Sequence, residues 1–186
     1  TFDLSNNDEI STGIKKIFNI TKQIDVLVNN AGILFNALFQ MTSEKKLKEI
    51  FQVNFFSHFL LTQLISREMV KNKKGNILFI SSTSAERNDY GRFGYSSTKA
   101  AISSAARILA KELGNYKIRV NAICPGLTET DMTKLNTKDN FLKEEINRIS
   151  LKRIGKPNEI ANVAVFLASD LSSYISGQNI VVDGGV

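Results

Sequence analysis

Two kinds of hydrophobic pattern alternate along the chain. Short, continuous apolar runs rich in isoleucine and valine are typical of strands that helices cover on both faces. These runs occupy residues 24–29, 76–81, 119–124 and 179–182. Longer segments with an apolar residue at every third or fourth position predict amphipathic helices. These segments occupy residues 8–20, 44–71, 95–114, 142–149 and 157–168. The alternation predicts βαβ units, and therefore an α/β fold with a doubly wound parallel sheet.

Small and polar residues follow the predicted strands. The segments are "NNAG" at 29–32, "SSTS" at 81–84 and "PGLTET" at 125–130, and residues 2–4 resemble the end of a further strand. Ligands of doubly wound sheets bind outside the carboxyl ends of the strands. These four ends therefore predict a polar, glycine-lined cleft. The segment after Pro125 lacks a strong apolar pattern, which is typical of a lid over a ligand.

Composition narrows the class of protein. A chain of 186 residues that is 42% hydrophobic suits one domain with a substantial core. It has no apolar run long enough to cross a bilayer, and its first residues do not resemble a signal peptide. We therefore expect a soluble, cytoplasmic protein that has no membrane partner.

Charge and metal-ligand counts exclude two further classes. The formal net charge is +6, but the lysines are scattered and interleaved with glutamates, which indicates a solvated surface rather than a nucleic-acid interface. Cys124 is the single cysteine and His58 the single histidine, too few for an internal disulfide or for a zinc site of the usual Cys/His kind. We therefore expect neither a nucleic-acid partner nor a metal.

Tyr95 and Lys99 are the first candidates for chemistry. Four residues apart on one predicted helix, they lie on the same face and can reach one substrate. A neighbouring ammonium favours the phenolate, so Lys99 could tune Tyr95 as a proton donor and acceptor for an alcohol/carbonyl pair. The alternative is an ordinary helix start, with a packed tyrosine and a solvent-facing lysine.

Three polar residues in unusual places bear on that choice. Ser82 ends a predicted strand 13 residues before Tyr95 and could bond the oxygen of a carbonyl, whereas strand alternation directs Ser81 to the other face. Asn54 lies within a strongly apolar helix, where an amide needs hydrogen-bond partners. Asn54 either bonds a neighbouring carbonyl or positions a water. His58, one turn later, is interpreted as a packing or subunit-contact residue.

Together these residues resemble the short-chain dehydrogenase/reductase family. The resemblance rests on Asn29-Asn30-Ala31-Gly32, Asn54, Ser82, Tyr95-x-x-x-Lys99 and Pro125-Gly126, and continues through residues 153–170 and 174–185. The spacings, and "ETDMT" at 129–133, are most similar to the subgroup that reduces 3-oxoacyl thioesters. The family's T-G-x-x-x-G-x-G turn and first two strands have no counterpart here. The resemblance thus implies a single domain over residues 1–186, the C-terminal three quarters of an N-terminally truncated Rossmann-fold reductase, which should bind cofactor poorly alone.

The resemblance also implies an activity and a set of roles. An NAD(P)-dependent enzyme would transfer a hydride between NAD(P)(H) and a carbonyl or secondary alcohol. Tyr95 would exchange the proton and Ser82 would hold the substrate oxygen. Lys99 would lower the pKa of Tyr95 and bind the nicotinamide ribose, and Asn54 would fix a water. The implied cofactor contacts are Asp3, Leu4, Asn30, Ala31, Gly32, Tyr95, Lys99, Pro125, Gly126, Thr128 and Thr130.

Several alternatives stay open at this point. The cofactor is NADP or NAD, with NADP the favoured expectation. The substrate is a small-molecule carbonyl or an acyl thioester, such as the 3-oxoacyl thioesters of fatty acid biosynthesis. The chain could instead be a sugar, polyol or steroid dehydrogenase, or a non-catalytic nucleotide-binding protein on this fold. Residues 128–154 would form the substrate lid, with lysines that meet either an acidic carrier or solvent. The family's pairing of the helices at 44–71 and 95–114 implies a homodimer or homotetramer.

Overall fold

The fold is a layered arrangement of four strands and eight helices in the part of the chain that the computed structural model describes, residues 1–87, 89–136 and 139–186. The helices are α1 (Asn7–Ile20), α2 (Glu44–Phe51), α3 (Ser57–Asn72), α4 (Ser84–Arg87), α5 (Phe93–Leu113), α6 (Asp131–Asn136), α7 (Asp139–Arg148) and α8 (Pro157–Ala168). The strands are β1 (Val26–Asn29), β2 (Gly75–Ile80), β3 (Ile118–Pro125) and β4 (Asn179–Val182).

The four strands form one parallel sheet in the order β1-β2-β3-β4. Asn29 pairs with Phe79, Ile80 with Ile123, and Pro125 with Val182. Because all strands run in the same direction, their carboxyl ends meet at one edge of the sheet. The prediction of a parallel α/β sheet is confirmed.

Alternate residues of the strands supply two cores. Ile77, Phe79 and Val120 face a cluster built with α1, α3 and α5. Leu78 and Ile123 point the other way, onto Leu167 of α8. Helices therefore cover both faces of the sheet, which explains why the strands read as continuous apolar runs. Within the described residues, none of the helices has the length and apolar character needed to cross a membrane.

The predicted strand end at residues 2–4 is wrong. The ring of Phe2 lies so closely over α1 that a Cβ on Gly13 would clash with its Cδ1 atom. Leu4 packs against the same core, and the Ser5 amide donates to Asp3 Oδ1 at 2.8 Å, which turns the chain into α1. The segment thus folds back on the helix that follows it.

The helix predicted over 44–71 has an interruption. Residues Gln52–Phe56 form a π-helical turn between α2 and α3, so one extra residue is accommodated there. Helices α4 and α6 are short and were not predicted. The other predicted boundaries agree with the structure within three residues.

Candidate functional site

A cleft of about 900 Å³ opens at the carboxyl edge of the sheet. Its floor comes from the segments after β1, β2 and β3, and helices α5 and α8 form its walls. The predicted residues that line it are Asn30, Ala31, Gly32, Ser82, Tyr95, Lys99, Pro125, Gly126, Thr128 and Thr130. Three predicted strand ends therefore converge on one cleft, as expected from a parallel sheet.

Asp3 and Leu4 are not among the residues that line this cleft. Leu4 packs against the core beside α1, and the exposed Asp3 carboxylate accepts from the Ser5 amide, which lowers its pKa. Their implied contact with the cofactor stays a prediction. Two lid residues, 137 and 138, lie outside the described residues.

Asn54 sits in the π-helical turn and is fully buried. Its Oδ1 accepts from the Ile33 amide at 2.8 Å, and its Nδ2 donates to the Ile33 carbonyl at 2.9 Å and to Thr98 Oγ1 at 3.3 Å. Asn54 thereby ties the segment after β1 to α5. These bonds favour the structural interpretation of its side chain, and its role in holding a water stays a prediction.

Ser82 and Tyr95 both line the cleft, and the Ser82 side chain lies close enough to act on the Tyr95 phenol. Ser82 Oγ accepts from the Ser84 amide at 3.1 Å, which leaves the hydroxyl proton of Ser82 for the phenol. Burial raises the pKa of Tyr95, and the bond from Ser82 opposes that rise because it favours the phenolate. A donor and an ionisable phenol thus share one position where a carbonyl oxygen could sit.

Ser81 faces the opposite way and has a different function in the structure. Its hydroxyl donates to the Lys99 carbonyl at 2.9 Å and accepts from Ser103 Oγ at 2.8 Å. This buried pair anchors β2 to α5. The alternation argument that separated Ser82 from Ser81 therefore matches the observed geometry.

Lys99 is buried, and its Nζ lies 5.6 Å from the centre of the Tyr95 ring. The ammonium donates to the Ile80 carbonyl at 2.7 Å, so one of its three donors is engaged within the sheet. Burial lowers the pKa of Lys99 to about 8, despite a small opposing effect from Cys124. The amine is therefore poised to exchange a proton near neutral pH.

The expected direction of the Tyr95 pKa requires a correction. Lys99 was expected to lower it, but in the protein alone burial dominates and raises it. The groups that oppose the rise are Ser82 and the Arg92 guanidinium, while the Asp89 carboxylate adds to it. Lys99 is itself desolvated and bonded to Ile80, and its expected lowering of the Tyr95 pKa does not outweigh the effect of burial.

Glycine allows close packing at two positions around the cleft. A Cβ on Gly32 would lie 3.3 Å from Asn54 Oδ1 and 3.6 Å from Lys99 Nζ. A Cβ on Gly126 would lie 2.6 Å from Cβ of Asp183. The backbone after β1 and β3 can therefore lie directly against the polar groups and against the turn after β4.

The mouth of the cleft carries charged residues that were not predicted. They are Arg87, Asp89, Arg92, Glu145 and Arg148. The Arg87 guanidinium bonds Glu145 of α7 at 3.1 Å, and Arg148 bonds the same carboxylate at 2.8 Å. The sequence does show charged residues between Ser82 and Tyr95, and these could have been proposed as part of the site. The ion pair between Arg87 and Glu145 could not have been predicted, because it depends on how α4 and α7 meet.

His58 is buried beside the site without taking part in it. Its ring packs near Phe79, with 6.5 Å between ring centres, and neither nitrogen has a well-formed hydrogen bond among the described residues. Burial, with a smaller contribution from the Lys99 charge, lowers its pKa to about 4, although the Ala31 backbone slightly opposes this. The packing interpretation fits these contacts.

The buried imidazole makes stability depend on pH. Its pKa is about 4 in the folded chain against 6.5 when solvated, so the unfolded chain binds the proton first as pH falls through this range. Stability should therefore fall by about 2 to 3 kcal/mol across that window. Urea unfolding of wild type and His58→Leu tests this, because carboxylates titrate in both proteins. A wild-type loss no larger than that of the variant contradicts the assignment.

Metal ligands do not cluster around the cleft. In residues 1–87, 89–136 and 139–186, no three His, Cys, Asp or Glu side chains lie close enough to hold an ion.

Comparisons with known proteins place this geometry in a wider group. A family model described as Enoyl-(Acyl carrier protein) reductase matches residues 1–186. The 3-oxoacyl-[acyl-carrier-protein] reductase FabG of Chlamydia trachomatis is 41% identical over 184 residues, which are 99% of this chain and 74% of that protein.

Solved structures show the same similarity. One, titled a short chain dehydrogenase/reductase family protein, superposes with a TM-score of 0.90 at 31% identity, over 99% of this chain and 74% of its own. A 7α-hydroxysteroid dehydrogenase complexed with NADH and 7-oxo glycochenodeoxycholic acid superposes with a TM-score of 0.94 at 36% identity, over 99% of this chain and 72% of its own.

Proposed function

The chain belongs to the short-chain dehydrogenase/reductase family of NAD(P)-dependent oxidoreductases, and from that premise we propose that it reduces 3-oxoacyl thioesters to 3-hydroxyacyl thioesters. The placement of Ser82 beside Tyr95 in the cleft, where the serine acts on the phenol, carries the proposal. The choice of substrate is supported by the 41% identity to a 3-oxoacyl-[acyl-carrier-protein] reductase.

The residues that line the cleft fit the nicotinamide end of such a cofactor. The Lys99 ammonium has donors beyond the one that bonds Ile80, and they can reach ribose hydroxyls. Asn30, Ala31 and Gly32 form one wall, and Pro125, Gly126, Thr128 and Thr130 form another. Small side chains in both walls let backbone approach a flat ring closely. We assign these residues as the cofactor contacts.

The chemistry then divides between cofactor and protein. A bound nicotinamide supplies or accepts the hydride. Ser82 donates a hydrogen bond to the substrate oxygen and stabilises the negative charge that develops on it. Tyr95 transfers the proton to that oxygen during reduction and removes it during oxidation. Both groups act on the same atom, which is why their hydroxyls must lie together.

Lys99 would replenish the proton of Tyr95 from within the protein. Its pKa of about 8 lies well below the value of 10.5 for a solvated lysine, so it can release a proton more readily near neutral pH. Asn54 holds Ile33 and Thr98 around it, and we propose that the same region positions a water that leads to solvent. Asn54 would therefore act chiefly through the arrangement of its neighbours.

We propose NADP as the preferred cofactor. Comparison of kcat/KM for NADPH and NADH tests the cofactor choice. Equal or better use of NADH would overturn it.

Residues 128–154 are the proposed lid. Helix α7 belongs to this lid, and the Arg87–Glu145 ion pair links it to α4.

A homodimer or homotetramer is proposed as the assembly. Exposed apolar side chains support it: Phe59 of α3 is 55% exposed and Ile108 of α5 is 52% exposed. Val165 of α8 and Val181 of β4 are exposed as well. Covering such surfaces is favourable in proportion to their apolar area. Light scattering after gel filtration would give the mass, and a monomer at all concentrations would contradict the proposal.

A substrate panel tests the proposed reaction. The full-length protein with NADPH should turn over a 3-oxoacyl thioester with a kcat/KM at least about 10-fold above that for a sugar acid or a steroid ketone. Cofactor oxidation and product analysis measure it. A preference for the steroid ketone would indicate a steroid dehydrogenase instead, like the 7α-hydroxysteroid dehydrogenase among the similar structures. No turnover with any carbonyl, despite cofactor binding, would favour a non-catalytic nucleotide-binding protein.

A further inference from the structure

Three residues beside the cleft form a compact hydrogen-bonded group. The Arg92 guanidinium donates from Nη1 to Ser84 Oγ at 3.0 Å and to Asp89 Oδ2 at 3.1 Å. Ser84 closes the group by donating its hydroxyl proton to Asp89 Oδ2 at 2.6 Å. Ser84 is 1% exposed, and the two charged side chains are 21% and 24% exposed. The group is therefore largely shielded from water, where charge-assisted bonds hold their geometry firmly.

Each end of the group reaches one member of the proton-transfer pair. Through its backbone amide, Ser84 donates to Ser82 Oγ at 3.1 Å, which directs the serine hydroxyl toward Tyr95. Arg92 immediately precedes α5, and its carbonyl accepts from the Ser96 amide at 2.8 Å in the turn that presents Tyr95. The hydrogen bonds of Ser84 to Arg92 and Asp89 thus join the segment after β2 to the start of α5.

We propose that Arg92, Asp89 and Ser84 are positioning residues that set the Ser82–Tyr95 pair for proton transfer, an inference that rests on the proposed reductase function. The proton moves between the Tyr95 hydroxyl and the substrate oxygen, and none of the three touches either atom. Their effect is exerted through the Ser84 amide on one side and through the first turn of α5 on the other. Loss of the group would let the two hydroxyls separate.

Charge gives the two ionised members opposite effects on the phenol. Burial is the largest influence on the Tyr95 pKa; after Ser82, Arg92 lowers it and Asp89 raises it. Other charges near the cleft are Lys99 on α5, Arg87 on α4, and Glu145 and Arg148 on α7. Arg87 Nε lies 3.7 Å from Asp89 Oδ1, and Glu86 acts on the Cys124 thiol.

Opposite charge effects give a test that a purely structural role could not imitate. In Arg92→Met the Tyr95 pKa should rise, and in Asp89→Asn it should fall. Titration of 13C-labelled tyrosine by NMR reports this directly and needs no cofactor, with Tyr95→Phe used to assign the signal. In alcohol oxidation, where Tyr95 must be ionised, the rising limb of the pH–rate profile should shift in the same two directions. Shifts in one common direction, or none, would overturn the proposal.

Rates test the positioning role independently of charge. Arg92→Lys keeps the charge but replaces the rigid, planar guanidinium, whose Nη1 bonds both Ser84 and Asp89, with a shorter and more flexible ammonium, so it should keep a wild-type pH profile while kcat falls at least about 10-fold. The control is Arg107→Met, an exposed position on α5 without an ion pair in the described part of the chain; it should match wild type. Wild-type kcat in Arg92→Lys contradicts the proposal. If Arg92→Met fails to fold, the test rests on Asp89→Asn, which is nearly isosteric with wild type. In that variant the Tyr95 pKa should still fall.

The two failures can be told apart. A wild-type protein without turnover removes the proposed function, whereas an active wild type whose Tyr95 titration ignores both charge variants removes the positioning role alone.

Discussion

Replacing Tyr95 with phenylalanine should lower kcat by about 10²- to 10⁴-fold, because it removes the phenol that lies beside Ser82 in the cleft and can exchange a proton with the substrate oxygen. The ring is retained, so packing at the start of α5 should change little. Cofactor affinity should fall only modestly, since Lys99 keeps its bond to Ile80.

Steady-state kinetics and cofactor titration of the full-length protein measure both effects. Tyr174→Phe is the matched control, because that tyrosine is fully exposed and loses the same hydroxyl. Its activity should equal that of wild type. Retained turnover in Tyr95→Phe would sink the assignment of Tyr95 as the proton donor.

The second large effect is expected from Ser82→Ala, which should lower kcat by about 10²- to 10³-fold. The loss has two causes. The substrate oxygen loses a donor as negative charge develops on it, and the Tyr95 phenolate loses the hydrogen bond that favours it. Because burial then acts with less opposition, the Tyr95 pKa should rise and the pH–rate profile for oxidation should shift to higher pH.

Ser104→Ala on α5 serves as the control, since Ser104 is exposed and remote from the cleft. Kinetics across pH should separate the two causes, and NMR titration of tyrosine should show the pKa change without turnover. A Ser82→Ala variant with wild-type kcat but a shifted profile would limit Ser82 to tuning Tyr95.

Sequence patterns predicted the structure correctly where neighbouring residues alone determine it. Residues 157–168 were predicted to their exact bounds because a proline suits the first turn of a helix and an apolar stripe follows it. Strand β4 was also predicted to its bounds, as a short isoleucine and valine run before two glycines. Side-chain alternation correctly directed Ser82, rather than Ser81, toward Tyr95.

Contacts between distant segments were beyond such rules. The fold-back of residues 2–4 depends on the fit of Phe2 over Gly13, and the π-helical turn depends on Asn54 meeting Ile33. The Tyr95 pKa was expected to respond to the nearest lysine in sequence. Burial dominates instead, and the opposing charge comes from Arg92, whose orientation depends on Asp89 and Ser84. A linear sequence shows which residues are charged but not how deeply a phenol is buried.

The most direct test of the account is the fate of the transferred hydrogen. The full-length protein should be supplied with a 3-oxoacyl thioester and NADPH deuterated at nicotinamide C4, and the product should be examined by mass spectrometry and NMR. We expect deuterium on the former carbonyl carbon, from one face of the nicotinamide only, and a solvent-derived proton on the oxygen. A product that carries no deuterium at that carbon would contradict hydride transfer in this cleft.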